Sequence, residues 1–356
     1  MKLSTVALAA AAAGVIGLGV LTVPAGAGAE PSLPEVSAED LVASVLTAQP
    51  PAFGGTVDVD NALGLPALPG LSETPNPLTQ PVTTFRVWSD GDGRGRLALP
   101  SRGGEQVLIE DGTTLWRYDS ASRTATALEH GAAPAPERAP VADPAQAARE
   151  LVGAVRHSSE VAVDGTAEVA GRPVYELVLT PKPTERTLLR EVRVAVDSVS
   201  RVPLQLTVLA DGSPDPALQI GFSDLDVGAQ DPTLFEFTPP EGVSVQRHEP
   251  SHAPPGHHAA PPGSPGDHGS SRDMIRTVGD GWDTVALGQL PTAGTDTDRT
   301  GADPLGMVRQ LGRPASGPWG NGWVVQTAVG TVLVADDGRV AAGAVPQQVL
   351  AEALSR

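Results

Sequence analysis

The chain has no cysteine. That excludes disulfides, thiolate metal sites, a cysteine nucleophile and a cysteine-linked lipid anchor. Aromatic residues are scarce, at 3%. Positive charge is also short: 24 Lys and Arg stand against 42 Asp and Glu, a net charge of −18. Nucleic acid is therefore not an expected partner, because binding it usually takes a basic patch. Glycine (40) and proline (35) are plentiful among the 356 residues. That balance fits turn-rich β structure with loose linkers better than a helical bundle. The length allows roughly two domains. The bias toward Ala, Gly, Pro, Val and Arg resembles that of a GC-rich bacterial genome.

Catalytic signatures are missing too. No nucleophile elbow, phosphate loop or dinucleotide glycine pattern follows a strand into a helix. Carboxylates are many but scattered in turns, so no acid–base pair can be nominated. His248-Glu249-Pro250-Ser251-His252 spells HExxH. That motif binds zinc only on a helix, where both histidines share a face, and Pro250 breaks such a helix. The linker histidines are read as solvated or as weak divalent-metal ligands. Asp90-Gly91-Asp92-Gly93-Arg94-Gly95 resembles the opening of a calcium loop, but Arg94 takes a ligand place and Ser101 stands where a Glu is needed. A hairpin turn is the better reading. No catalytic residue, metal site or cofactor is expected, and the chain is read as not an enzyme.

Residues 1–29 read as a signal peptide. Lys2 gives a short positive start, Val6 to Val23 is apolar, and Ala25-Gly26-Ala27 fits small-x-small cleavage. The alternative is an uncleaved anchor, since about 18 apolar residues only just reach spanning length. Either way the chain works outside the cytoplasm, secreted, at the cell surface or in a periplasm.

Residues 30–247 read as one mainly β unit. Ser37 caps a helix with Leu41, Val42, Val45 and Leu46 on one face, and Pro50-Pro51 ends it. Phe53 to Val57 looks like a first strand. Residues 61–81 form a Pro-rich loop carrying Leu63, Leu65, Leu68 and Leu71. An apolar loop is unusual; it is either a flap over an apolar cavity or a segment packed outside the sheet. From Phe85 to Leu128 the residues alternate in character, as strands require. Asp111-Gly112 there predicts a type I′ turn, with positive φ at both residues. Asp143 and Pro144 open a second helix with Leu151, Val152 and Val155 inward. Strands resume through Val192, Val194 and Val196, then Leu204, Leu206 and Val208, then Leu218, Ile220 and Phe222, and close on Leu234 to Val243. About ten strands and two helices are expected, as one large antiparallel sheet. Residues 248–271 are a Pro/Gly/His-rich linker that cannot bury a core. Residues 272–356 read as a small C-terminal α+β domain.

Several segments in this order resemble one family. They are Phe53-Gly54-Gly55-Thr56, Phe85-Arg86-Val87-Trp88, Ile109 to Asp119, Val194-Ala195-Val196-Asp197 followed by Val202-Pro203-Leu204, and Phe235 to Val243. Over about 36–247 the chain is similar to the LolA-like lipoprotein-carrier superfamily, which includes sigma-factor regulators of the RseB/MucB type. That resemblance implies a curved, incomplete antiparallel barrel, a half-barrel with helices as a lid. It implies no catalysis, and a cavity for apolar groups or for part of a partner protein. The Pro-rich insert and the appended domain depart from the carrier branch. Candidate cavity or flap residues are Phe53, Leu63, Leu65, Leu68 and Leu71, with Trp88, Trp116, Tyr118, Leu206 and Phe222. The expected function is an extracytoplasmic, membrane-proximal binding protein for lipid or lipoprotein acyl chains. The alternative is a regulator that binds the extracytoplasmic part of an anti-sigma factor or another membrane protein.

Overall fold

The computed structural model describes residues 33–64, 82–101, 103–130, 144–248, 276–290 and 304–355. The expected leader, the loop residues Leu65, Leu68 and Leu71, the Asp143 cap and linker residues 249–271 lie outside these. Over the described residues the structure is mainly β, built from two sheets.

The first sheet has twelve strands. They are β1 (Phe53–Asn61), β2 (Val82–Ser89), β3 (Gly95–Ser101), β4 (Gly104–Glu110), β5 (Thr114–Asp119) and β6 (Thr124–Glu129). After a helix come β7 (Ser159–Val169), β8 (Arg172–Pro181), β9 (Leu189–Asp197), β10 (Pro203–Ala210), β11 (Pro216–Val227) and β12 (Ser244–His248). Across the sheet the order is β12, β6, β5, β4, β3, β2, β1, β11, β10, β9, β8, β7. The two edge strands do not pair, so the sheet is open and not a closed barrel. Three strands separate β7 from β11 in that order, yet the two come into contact; this half of the sheet is coiled. Bulges in the β1–β11, β7–β8, β9–β10 and β10–β11 ladders sharpen the bend.

One pairing departs from the expected all-antiparallel sheet: β12 runs parallel to β6. The chain reaches that edge by a long crossover from β11 rather than by a hairpin, which is what parallel pairing requires. Within the crossover, the expected extended piece at Leu234 and Phe235 is instead a 3₁₀ turn, Pro232–Phe235. Asp231 caps that turn by accepting from the Thr233 amide.

Turn chemistry explains the hairpins. Ala170 (φ 50°) and Gly171 (φ 72°) make a two-residue primed turn between β7 and β8. At Asp111-Gly112 only Gly112 has positive φ, 99°, so the expected type I′ turn is not formed. The loop there is one residue longer, and the Asp111 carboxylate accepts from the amides of Thr113 and Thr114, each at 2.9 Å. Asp90 closes the β2–β3 loop by accepting from the amides of Asp92 (2.8 Å) and Arg94 (2.9 Å), the hairpin turn that the sequence suggests there.

Among the described residues two helices accompany this sheet, α1 (Ala38–Thr47) and α2 (Pro144–Val155). The Ser37 hydroxyl caps α1 by accepting from the Asp40 amide at 3.1 Å. The Glu39 carboxylate of α1 accepts from Arg156 at the end of α2. Lys182 Nζ caps that same end by donating to the carbonyls of Arg156 (2.5 Å) and His157 (3.2 Å).

The second sheet has β13 (Arg276–Val278), β14 (Val285–Gln289), β15 (Arg313–Gly317), β16 (Gly320–Gln326), β17 (Thr331–Ala335) and β18 (Arg339–Gly343). It is flanked by α3 (Pro304–Leu311) and α4 (Gln347–Leu354), and α4 buries Val349 and Leu350 against Val285, Val324 and Leu333. A turn separates β13 from β14, and β15 has too little alternation to be read in advance. The two sheets touch at one end of the first: Leu188 N donates to the Ala344 carbonyl (2.8 Å), and Ala328 N to the Leu63 carbonyl (2.9 Å). Trp282 Nε1 donates to Ser159 Oγ at 2.6 Å.

Candidate apolar binding face

Residues directly opposite in a ladder share a face of the sheet. Following the register, Val59 stands opposite Ile220, Ile220 opposite Leu206, and Leu206 opposite Val194. Val194 is opposite Leu177, and Leu177 opposite Val163. The result is one unbroken apolar row across six strands, about 24 Å long at about 4.8 Å per strand. A second row lies beside it, in which Val57 opposes both Phe85 and Phe222. The floor of this face is fully buried: Val57 is 0% exposed, Val59 1% and Phe85 1%. Around it Val87, Leu97, Leu206, Leu218 and Phe222 are only half-buried.

Helix α1 covers one end of the long row. Leu41 of α1 packs on Tyr175 and Val196, with Val163, Leu177 and Val194 beside them. Past Val194 the row leaves this cover, and every described member of the next cluster belongs to the sheet itself.

The candidate residues divide between two faces. Leu206 and Phe222 lie on the apolar face, and the rings of Phe53 and Phe222 meet edge to face at 5.8 Å. Gly55 is glycine for a reason: a Cβ there would fall 2.8 Å from the Phe222 ring. Phe53 and Phe222 also line a small apolar niche with Val202, Leu204 and Leu225. Trp88, Trp116 and Tyr118 are on the opposite face. Trp88 opposes Arg96, Arg96 opposes Ile109, and Ile109 opposes Trp116. There Trp116 and Tyr118 pack on Phe237, with centroids 5.2 and 5.5 Å apart. Leu63 is buried against Ala210, Ala217 and Val329, where the two sheets meet.

The turn at the edge of the apolar face is held by Asp197, which is 0% exposed. Its carboxylate accepts from Arg172 Nε (2.6 Å) and Nη2 (3.1 Å) and from the amides of Val199 (3.0 Å) and Ser200 (2.5 Å). Burial alone raises its pKa. The Arg172 guanidinium and the Ser200 donors outweigh that and hold the group at about 2. Among the described residues, no group of His, Asp and Glu side chains is placed to hold a metal ion. None of the described helices is long and apolar enough to cross a membrane.

No protein-family profile matches the chain, and no curated protein matches it. Solved structures do. A chain of the Pseudomonas aeruginosa MucA/MucB complex aligns over 89% of this chain and 96% of its own, at 19% identity and a TM-score of 0.46. A LolA-superfamily protein from Nitrosomonas europaea aligns over 57% of this chain and 99% of its own, at 13% identity and a TM-score of 0.23. LprF from Mycobacterium bovis aligns over 55% of this chain and 96% of its own, at 13% identity and a TM-score of 0.26. The chain is similar to MucB and to LolA-superfamily proteins.

Proposed function

We propose that this is an extracytoplasmic, non-enzymatic binding protein that holds lipid or lipoprotein acyl chains on the apolar face of β1, β2, β10 and β11. One observation carries the reading: the row from Val59 through Ile220 and Leu206 to Val194 is unbroken and leaves the helix cover half-way. Leu206 in the row and Leu218 and Phe222 beside it are only half-buried, and apolar surface left in reach of solvent marks a binding site or an aggregation hazard. An acyl chain laid along it contributes about 0.8 kcal/mol for each CH₂ buried. Among the described residues the face offers apolar contact, with no paired nucleophile and base. The test is uptake of labelled fatty acid or acylated lipopeptide by delipidated protein. Stoichiometric retention is expected, and no uptake overturns the reading.

A second reading, a regulator of an anti-sigma factor or another membrane protein, is favoured by the sheet edges. Among the described residues β7 and β12 each have one side without a partner strand, and such edges accept an extended segment of another chain. If pull-downs from the membrane fraction recover no stoichiometric partner, this second reading fails.

A further inference from the structure

Arg201 lies in the turn between β9 and β10, with φ of 60°, in the left-handed region that a non-glycine residue seldom adopts. The same turn contains one carboxylate, Asp197. Its oxygens are taken by Arg172, by the amides of Val199 and Ser200, and by the Ser200 hydroxyl. Arg172 therefore neutralises the turn's only anion, and Arg201 is the cation left over. Its guanidinium lies over the Tyr175 ring, 5.1 Å from the centroid. Its Nη1 is buried with no hydrogen-bond partner. The other such atoms among the described residues are hydroxyls of Thr83, Ser101 and Thr331. A buried, unpaired guanidinium N–H is much the costlier kind and calls for a reason.

The surroundings supply one. Tyr175 packs with Leu41 and Val196, next to Val194 and Leu177 of the apolar row. The chain neighbours of Arg201, Ser200 and Val202, line the niche that holds Phe53 and Phe222. A cation with a donor to spare thus stands beside the end of the apolar track that α1 covers. We propose that Arg201 receives the anionic head of an amphiphile, a carboxylate or phosphate oxyanion, whose alkyl chain lies along that row. This inference rests on the binding-face reading and names its ligand class. A planar guanidinium suits either oxyanion through two parallel N–H donors.

The test uses the full delipidated chain and compares palmitate with its neutral methyl ester by calorimetric titration, in wild type, R201Q and R201K. Wild type is expected to bind the acid at least tenfold more tightly than the ester. R201Q is expected to lose that preference while keeping its affinity for the ester, which also shows that it is folded. R201K is expected to restore part of the preference, which a merely structural role does not predict. Inorganic phosphate is expected to leave palmitate bound; phosphate binding without lipid binding marks a free-anion site and overturns the proposal. A preference retained in R201Q overturns it as well. Equal binding of acid and ester by wild type overturns it with no variant needed. Binding of neither compound sinks the binding-face reading itself.

Discussion

Two regions of the first sheet have apolar faces, and the chain treats them differently. On β4, β5 and β6 the side carrying Ile109, Trp116, Ala125 and Ala127 is closed by the chain itself, through Phe237 and Val243 of the crossover. Ile109, Ala125 and Ala127 are each 0% exposed. On β1, β2, β10 and β11 the apolar side is the opposite one, and among the described residues no segment from outside the sheet joins its cluster. Leu206, Leu218 and Phe222 stay half-buried there. The closed face contributes to folding, while the half-open one keeps part of its apolar surface in reach of solvent. The aromatic content alone suggests the reverse, because Trp116 and Tyr118 sit on the closed side.

The contrast can be broken most forcefully at Ile109. Truncating it to alanine should cost about 3 kcal/mol of stability in urea unfolding, with fatty-acid binding per folded molecule unchanged. A parallel loss of binding would mean that the closed face is also part of the site. Next is Asp197, in the turn beside the open face. Its folded pKa is depressed to about 2 from an ordinary 3.8. Its stabilisation is therefore fully present above about pH 4 and is lost as pH falls through about 2. That amounts to about 2 kcal/mol, and acid titration of D197N should lack this segment of the stability curve. Leu206→Asp is the converse of the first change. It should cost less than the Ile109 truncation, about 1 kcal/mol, since Leu206 is only half-buried, yet lower lipid affinity more than tenfold. The smallest effect is expected at the exposed Arg186–Glu352 pair, which ties the β8–β9 loop to α4 at 2.8 Å. R186A should change the melting free energy by less than about 1 kcal/mol and leave both faces as they are.

Much of the fold is legible in the residues. The alternation from Phe85 to Leu128 marks β2 to β6, and Ser37 marks the start of α1. The site is only half legible. Alternation shows that Leu206 and Val208 share a side, but which strands lie beside them depends on register, and a slip of one residue exchanges the faces. That is why Trp116 and Leu206, both apolar and both on strands, end on opposite sides. The parallel edge β12 has no local signal, because its pairing is set by a long crossover. Arg201 has none either; its isolation follows from Asp197 being engaged by Arg172, which only the folded turn brings about. Asp111 misleads for a physical reason: its side chain satisfies two loop amides, which favours a longer loop over the primed turn.

The bond between Trp282 and Ser159 has a practical consequence. Trp282 is one of five tryptophans, and its indole N–H is held by a hydroxyl that is 1% exposed, across the junction of the two sheets. Its backbone amide is held there too, by Glu185 at 2.8 Å. Parting the sheets hands that indole to water. With the other four tryptophans replaced by phenylalanine, the colour of its emission becomes an optical gauge of whether the two halves of the molecule are joined, readable while lipid or partner is added.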